Sequence, residues 1–326
     1  MNRALPVLLL LAAACGPAAG APREKVYLAE GLGFRAVTDS LANHGIVGNR
    51  TWFRLVARVS GLDRKVRSGL YEFPQGERAL TVLRTLAAGR ALSVRLTIPE
   101  GYTLLDIAAV AERELRIPRA SFLRAARDTS LLRELGIPAP SLEGYLLAET
   151  YLWSGAVTAE ALVRRLATTF RDRWDPAWDG RAAELGLTRH QLLTLASIVE
   201  AEALVDEDRE LVAAVYRNRL RIGMALQADP TVQYAIQLAT GERKGRLYQK
   251  DYRFESEYNT YLHPGLPPGP VGAPGRESIE AVLSGTPAPY LYFVAGPGGR
   301  HVFSRTYAEH LMAIRRIRRA ATNGGP

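Results

Sequence analysis

The chain's 326 residues suffice for two or three modest domains, and 47% hydrophobic with 23% charged residues can bury a real core, which excludes a disordered or low-complexity polymer. An excess of 42 lysines and arginines over 33 acids leaves +9, mostly from arginine; this suits nucleic acid, anionic lipid or an acidic cell-wall polymer as a neighbour, or a merely solvated basic face. One cysteine excludes an intramolecular disulfide, so the fold must rest on packing alone.

In chain order, MNRALPVLLLLAAACGPAAG comes first, with a basic start, an apolar run over residues 5–14 and a small-residue end. It reads as an export signal spanning 1–22. About ten apolar residues are half of the roughly twenty that a membrane-spanning helix needs. Cys15 follows Leu11-Ala12-Ala13-Ala14, which resembles the lipobox of bacterial lipoproteins and makes Cys15 the expected lipid anchor. The alternative is ordinary cleavage near Ala19 or Ala21.

Next comes an internal repeat at an offset of 70 residues, which lays Glu30-Gly31 on Glu100-Gly101. It also lays Phe34, Val37, Val47, Trp52 and Phe53 on Leu104, Ile107, Ile117, Phe122 and Leu123. Apolar positions agree where a core needs them, and each copy predicts a short strand, a Gly turn and two helices. Between the copies, SGLYEFPQGERALTVLRTLAAGR predicts a strand, a turn and a helix. The pattern resembles LysM-like modules, which bind cell-wall glycans, with units expected at 23–95 and 96–140. A packing and spacing role is the alternative.

From residue 141 the texture changes to longer helices, over 159–174, 188–204 and 208–222. Thr188 is a candidate N-cap with Gln191 as its capping-box partner. Residues 258–275, YNTYLHPGLPPGPVGAPG, are too rich in Pro and Gly for regular structure and predict a rigid loop that positions something. The end predicts a hairpin around 296–299 and a helix from Tyr307.

The helix LLTLASIVEAEALV, 192–205, carries two acids among apolar and small residues. Three and four positions from Glu200 lie Ala196, Ser197, Ala203 and Leu204; around Glu202 lie Ile198, Val199, Val205 and Asp206. Neither acid has a basic partner on its own helix face. Such a group is either a surface acid at the edge of an apolar stripe or one with a raised pKa. A Glu near 4.3 is protonated about 0.2% of the time at pH 7, against roughly 10% for one near 6, so a raised pKa suits a general acid acting on a glycan. No GxSxG, HExxH, Walker A or CxxC occurs, and His44, His190, His263, His301 and His310 are scattered; no metal and no cofactor is expected. The tail RRIRRA, 315–320, reads as a solvated helix face, since an exported chain has no nucleic acid to meet.

LASIVEAEA, then LQADPTVQYA, then YNTYLHPGLPPGPVGAPG and YLYFVAGPGGRHVFSRTYAEH together resemble the endolytic murein transglycosylases, the MltG or YceG-like family, over nearly all of the mature chain. The resemblance implies cleavage of the β-1,4 bond between N-acetylmuramic acid and N-acetylglucosamine inside a peptidoglycan strand, leaving a 1,6-anhydromuramic end. No water is consumed, so one carboxyl suffices where most glycosidases use two. By motif position that carboxyl is Glu200, as acid and then base, in a cleft roofed by the Pro-Gly loop; helical pattern alone does not choose between Glu200 and Glu202. Gln227, Asp229, Asn259 and Tyr261 match polar positions expected to bind sugar or N-acetyl groups, with loop-fixing hydrogen bonds as their alternative. SLEGYLLAETY, 141–151, is similar to a family segment that usually ends Pro-Asp-Thr-Tyr, from which Ala148 and Glu149 depart.

The expected architecture is α+β: LysM-like α/β modules followed by a mostly helical catalytic domain over 141–326 with a β-hairpin. Family members usually carry one transmembrane helix, whose place lipid on Cys15 would take. The expected partners are peptidoglycan strands, the peptidoglycan synthases and, through the N-terminal anchor, the membrane, with the catalytic domain in the periplasm or cell-wall space and a role in terminating nascent strands. Two rivals stand beside this reading: a wall-binding protein without catalysis, and a hydrolytic muramidase pairing Glu200 with a carboxylate such as Asp229.

Overall fold

The computed structural model describes residues 16–323, so the apolar run and the expected lipid anchor at Cys15 lie outside the described residues. Among the described residues no helix is long and apolar enough to cross a membrane. The chain forms two compact units. One takes the described residues up to Leu96 with Arg113–Ile117 and Thr150–Thr158; the other takes Thr97–Glu112, Pro118–Glu149 and the chain from Ala159.

In the first unit, β1 (Arg23–Leu28) is followed by helices α1 (Phe34–Asn43) and α2 (Arg50–Ser60). Strand β2 (Gly69–Pro74) then pairs antiparallel with β1, from Arg23 opposite Pro74 to Leu28 opposite Gly69. Side chains alternate across a strand, so Val26 and Leu28 meet Tyr71 and Phe73 on one buried face. Helix α3 (Ala79–Ala88) adds Val82, Leu83 and Leu86 to this core, and Phe34 stacks on Phe53 with ring centres 5.8 Å apart. The Asn49 side chain caps α2 by accepting the Trp52 N–H at 2.9 Å.

The repeat is visible as a recurring order of elements. Strand β3 (Ser93–Thr97), α4 (Leu104–Leu115) and α5 (Arg119–Ala125) repeat β1, α1 and α2. Gly31 at φ 79° and Gly101 at φ 74° turn the chain at equivalent places, a left-handed geometry that explains why glycine recurs there. The expected unit at 96–140 does not close on itself. Its strand pairs instead with β4 (Thr150–Ser154), α5 packs on α7 (Ala159–Arg173), and Arg113–Ile117 belongs to the first unit.

The second unit continues through α6 (Thr129–Glu134), α7, α8 (Ala177–Glu184), α9 (Arg189–Glu202), α10 (Arg209–Arg221) and α11 (Asp229–Thr240). Helix α12 (Arg276–Leu283) packs on α9 and α10. The hairpin β5 (Tyr292–Ala295) and β6 (His301–Ser304) then leads into α13 (Tyr307–Asn323). With three two-stranded sheets among the described residues, the architecture is α+β and dominated by helix.

Candidate active site

Helix α9 begins with the expected capping box: the Thr188 hydroxyl accepts the Gln191 N–H at 3.2 Å, and the Gln191 side chain accepts the Thr188 N–H at 2.9 Å. Every residue from Leu192 to Val199 is buried, so this helix runs through the core and carries its two acids at its C-terminal end. Two residues apart, they point about 200° away from each other around the axis. Their surroundings differ accordingly.

Glu200 turns toward the Pro-Gly segment. Its Oε2 accepts the Gly275 N–H at 3.0 Å and the Ser278 hydroxyl at 2.8 Å, and the Arg209 guanidinium lies 3.2 Å away. The basic partner missing from its own helix thus comes from α10, and the N-terminal turn of α12 adds donors that favour a negative charge. Its side chain is 9% exposed. The second half of the Pro-Gly loop, expected as a roof over Glu200, packs directly onto α9. Val271 donates its N–H to the Ser197 hydroxyl at 3.0 Å, and Val271, Ala273 and Gly275 are buried. Glu100 rests on the bare Cα of Gly275, where a Cβ would fall 2.1 Å from its Oε1. Burial first, then the charge of Glu200, raises the pKa of Glu100.

Glu202 faces a cavity of about 280 Å³ on the other side. The cavity is walled by Tyr216 and Arg219 of α10, Gln227 and Asp229 before and at the start of α11, Tyr261, the hairpin and α13. Glu202 accepts the Tyr216 hydroxyl at 3.0 Å. Burial pushes its carboxyl up to about 7, opposed by the Tyr216 hydrogen bond, while the Asp229 charge adds to the rise and Arg219 opposes it. Asp229 accepts the Tyr261 hydroxyl at 2.6 Å and the Tyr252 hydroxyl at 3.4 Å. Gln227 is exposed and sits at φ 51°, a left-handed conformation that a non-glycine residue adopts at some cost.

Three of the four predicted sugar-contacting residues, Gln227, Asp229 and Tyr261, therefore meet around Glu202, not Glu200. Asn259 does not join them. It is fully buried, its amide donating to the Tyr252 and Phe254 carbonyls at 3.1 and 2.9 Å and its oxygen accepting the Tyr261 N–H at 3.0 Å, so it fixes the loop that presents Tyr261. Sequence reasoning missed Tyr216 and Arg219 altogether, and took His301 and His310 only as scattered histidines. Pairs this far apart in the chain leave no spacing signal.

A second buried acid lies in the same unit. Glu143 is 5% exposed, accepts the Leu104 N–H at 3.1 and 3.2 Å on its two oxygens and the Tyr234 hydroxyl at 2.9 Å, and burial pushes its carboxyl up to about 7. The folded chain then holds this proton more tightly than the unfolded chain, whose Glu titrates near 4.5. Stability is full below that lower value and falls as pH rises toward 7, at about 1.4 kcal/mol per pH unit, for roughly 3 kcal/mol in all. Glu143→Gln should flatten that part of the profile, read as urea midpoints between pH 4.5 and 8; an unchanged slope would remove Glu143 as its source.

The profile of the YceG-like family matches residues 26–316. The chain is 28% identical over 300 residues to the endolytic murein transglycosylase of Bacillus subtilis (strain 168), covering 87% of this chain and 82% of that protein. It is 28% identical over 321 residues to the endolytic murein transglycosylase of Streptococcus pneumoniae serotype 2 (strain D39 / NCTC 7466), where it spans 56% of the relative's length. The crystal structure of a YceG-like protein from Listeria monocytogenes superposes with a TM-score of 0.63 at 30% identity, over 89% of this chain and 98% of that one.

Proposed function

The chain belongs to the YceG-like family, and from that premise we propose that it is a peptidoglycan lytic transglycosylase acting within glycan strands, with Glu202 as its proton donor. The observation that carries this reading is the cavity in which an acid pushed up to about 7 stands beside Gln227, Asp229 and Tyr261. A group of that pKa is about half protonated at neutral pH and is matched to giving a proton to a departing glycosidic oxygen. Glu200 lies outside this cavity, held by Arg209 and two further donors.

In the proposed reaction Glu202 protonates the oxygen leaving the N-acetylmuramic acid residue. The 6-hydroxyl of that sugar then closes on the anomeric carbon, giving the 1,6-anhydro end and releasing its own proton. A second carboxylate in the same cavity, Asp229, favours one rival, a hydrolytic muramidase in which water attacks instead. Digestion of purified peptidoglycan followed by mass spectrometry separates them: anhydro ends support the lyase, reducing ends the hydrolase, and unshortened strands a binding protein. The donor must carry its proton, so kcat/KM is expected to fall about tenfold per pH unit above about 7. A rate that stays level to pH 9 would exclude Glu202 as the acid.

Peptidoglycan as substrate implies work in the cell-wall space. The β1-α1-α2-β2 order of the first unit supports a LysM-like glycan-binding role for it, and lipidation at Cys15 remains part of the proposal.

A further inference from the structure

The reaction above releases one proton that Glu202 is not required to take, that of the 6-hydroxyl. We propose that His301, oriented by Asp208, is the base that accepts it. The inference rests on the lytic reading of the cavity and divides its two proton transfers between two groups.

Asp208 lies just before α10 and is 8% exposed. Its Oδ2 accepts the backbone N–H of His301 at 2.5 Å and stands 3.0 Å from Nδ1 of the same residue. A carboxylate oxygen can only accept, so Nδ1 carries the hydrogen and the lone pair of the neutral ring is on Nε2. Among the described residues Nε2 makes no protein hydrogen bond, and the ring lines the same cavity as Glu202. Phe293 packs edge-on against the imidazole at 5.0 Å and Phe303 lies at 6.1 Å, which locks the ring plane.

Tyr216, which holds Glu202, packs edge-on against Phe293 at 5.7 Å, so Phe293 touches both the acid's support and the imidazole. The other histidine of this unit with a fixed tautomer, His190, has both nitrogens occupied, by the Tyr145 hydroxyl and the Pro268 carbonyl, each at 2.8 Å. His310 shares the cavity, but burial and then Arg219 lower its pKa, and it has no carboxylate on its ring to stabilise an imidazolium. The charged and titratable groups sharing the cavity with His301 are Glu202 from α9, Arg219 and Tyr216 from α10, Asp229 from α11, Tyr261, Tyr292 from β5, and Tyr307 and His310 from α13. Outside it, the exposed Arg300–Glu207 pair flanks the dyad in sequence, at 3.6 Å.

The step balances. As the bond from the anomeric carbon to the leaving oxygen breaks, Glu202 gives that oxygen a proton; O6 bonds to the anomeric carbon and its hydrogen passes to Nε2. The imidazolium is stabilised by Asp208, then returns its proton to solvent while Glu202 regains one. No water, oxidant or reductant is consumed.

The test uses the full-length protein on solubilised, uncrosslinked glycan strands, with anhydro ends counted by mass spectrometry. The wild-type protein is expected to show a bell-shaped kcat/KM profile, its low-pH limb reporting a base that must be unprotonated. His301→Gln should lower kcat at least 100-fold with KM within threefold and should lose that limb. Asp208→Asn should lower kcat similarly by favouring the wrong tautomer, and free imidazole should partly restore His301→Gly. A wild-type profile with only the high-pH limb overturns the proposal without any variant, as does a folded His301→Gln that keeps kcat within threefold. Survival of activity in Glu202→Gln would instead sink the assignment of the acid, and reducing ends the lytic reading itself, so the failures are distinguishable.

Discussion

Glu202→Gln should lower kcat on peptidoglycan by at least 10²- to 10⁴-fold, the usual worth of general acid-base catalysis, while the protein stays folded and still sediments with glycan. The amide keeps the shape and can still accept the Tyr216 hydroxyl, which lies at 3.0 Å from the carboxyl it replaces. It cannot give a proton to the leaving oxygen. Glu200→Gln is the control: an amide there keeps an oxygen for the Gly275 N–H and the Ser278 hydroxyl, so activity should stay within about tenfold while the melting temperature drops. The reverse outcome, an inert Glu200→Gln beside an active Glu202→Gln, would return the catalytic role to the residue that motif position names.

Arg209→Met should destabilise the protein by about 3–5 kcal/mol, the range seen when one partner of a buried ion pair is removed. Arg209 and Glu200 are only 13% and 9% exposed and lie 3.2 Å apart, so the remaining carboxylate would keep Gly275 and Ser278 as donors but lose its countercharge. Adding Glu200→Gln to Arg209→Met should recover part of the loss, since no uncompensated charge then remains. Urea denaturation of the three proteins measures this. A loss under about 1 kcal/mol would mean that solvent screens the pair as it does a surface one.

Much of the fold was legible because it is local. The capping box at Thr188 and Gln191, the hairpin before Tyr307, the long helix from Ala159 and the strand–helix–helix repeat each depend on residues a few positions apart, and each stands where periodicity predicts it. The partners of the 96–140 segment were not legible, because apolar periodicity says that a face is buried but not what buries it. The cover for that segment comes from β4 and α7.

By itself the sequence determined that one apolar helix carries two acids with no basic residue along its own faces, and that Gln227, Asp229 and Tyr261 follow it at a distance. Which acid meets those three was decided only by tertiary structure. Two residues along a helix turn a side chain by about 200°, so Glu200 and Glu202 look into opposite surroundings. On one side the chain folds Arg209 and the N-terminus of α12 onto Glu200; on the other, α10, the hairpin and α13 wall the cavity that Glu202 faces, beside an Asp208–His301 pair whose members are 93 residues apart. Desolvation and countercharge set a carboxyl's proton affinity, and both are supplied by neighbours distant in the chain.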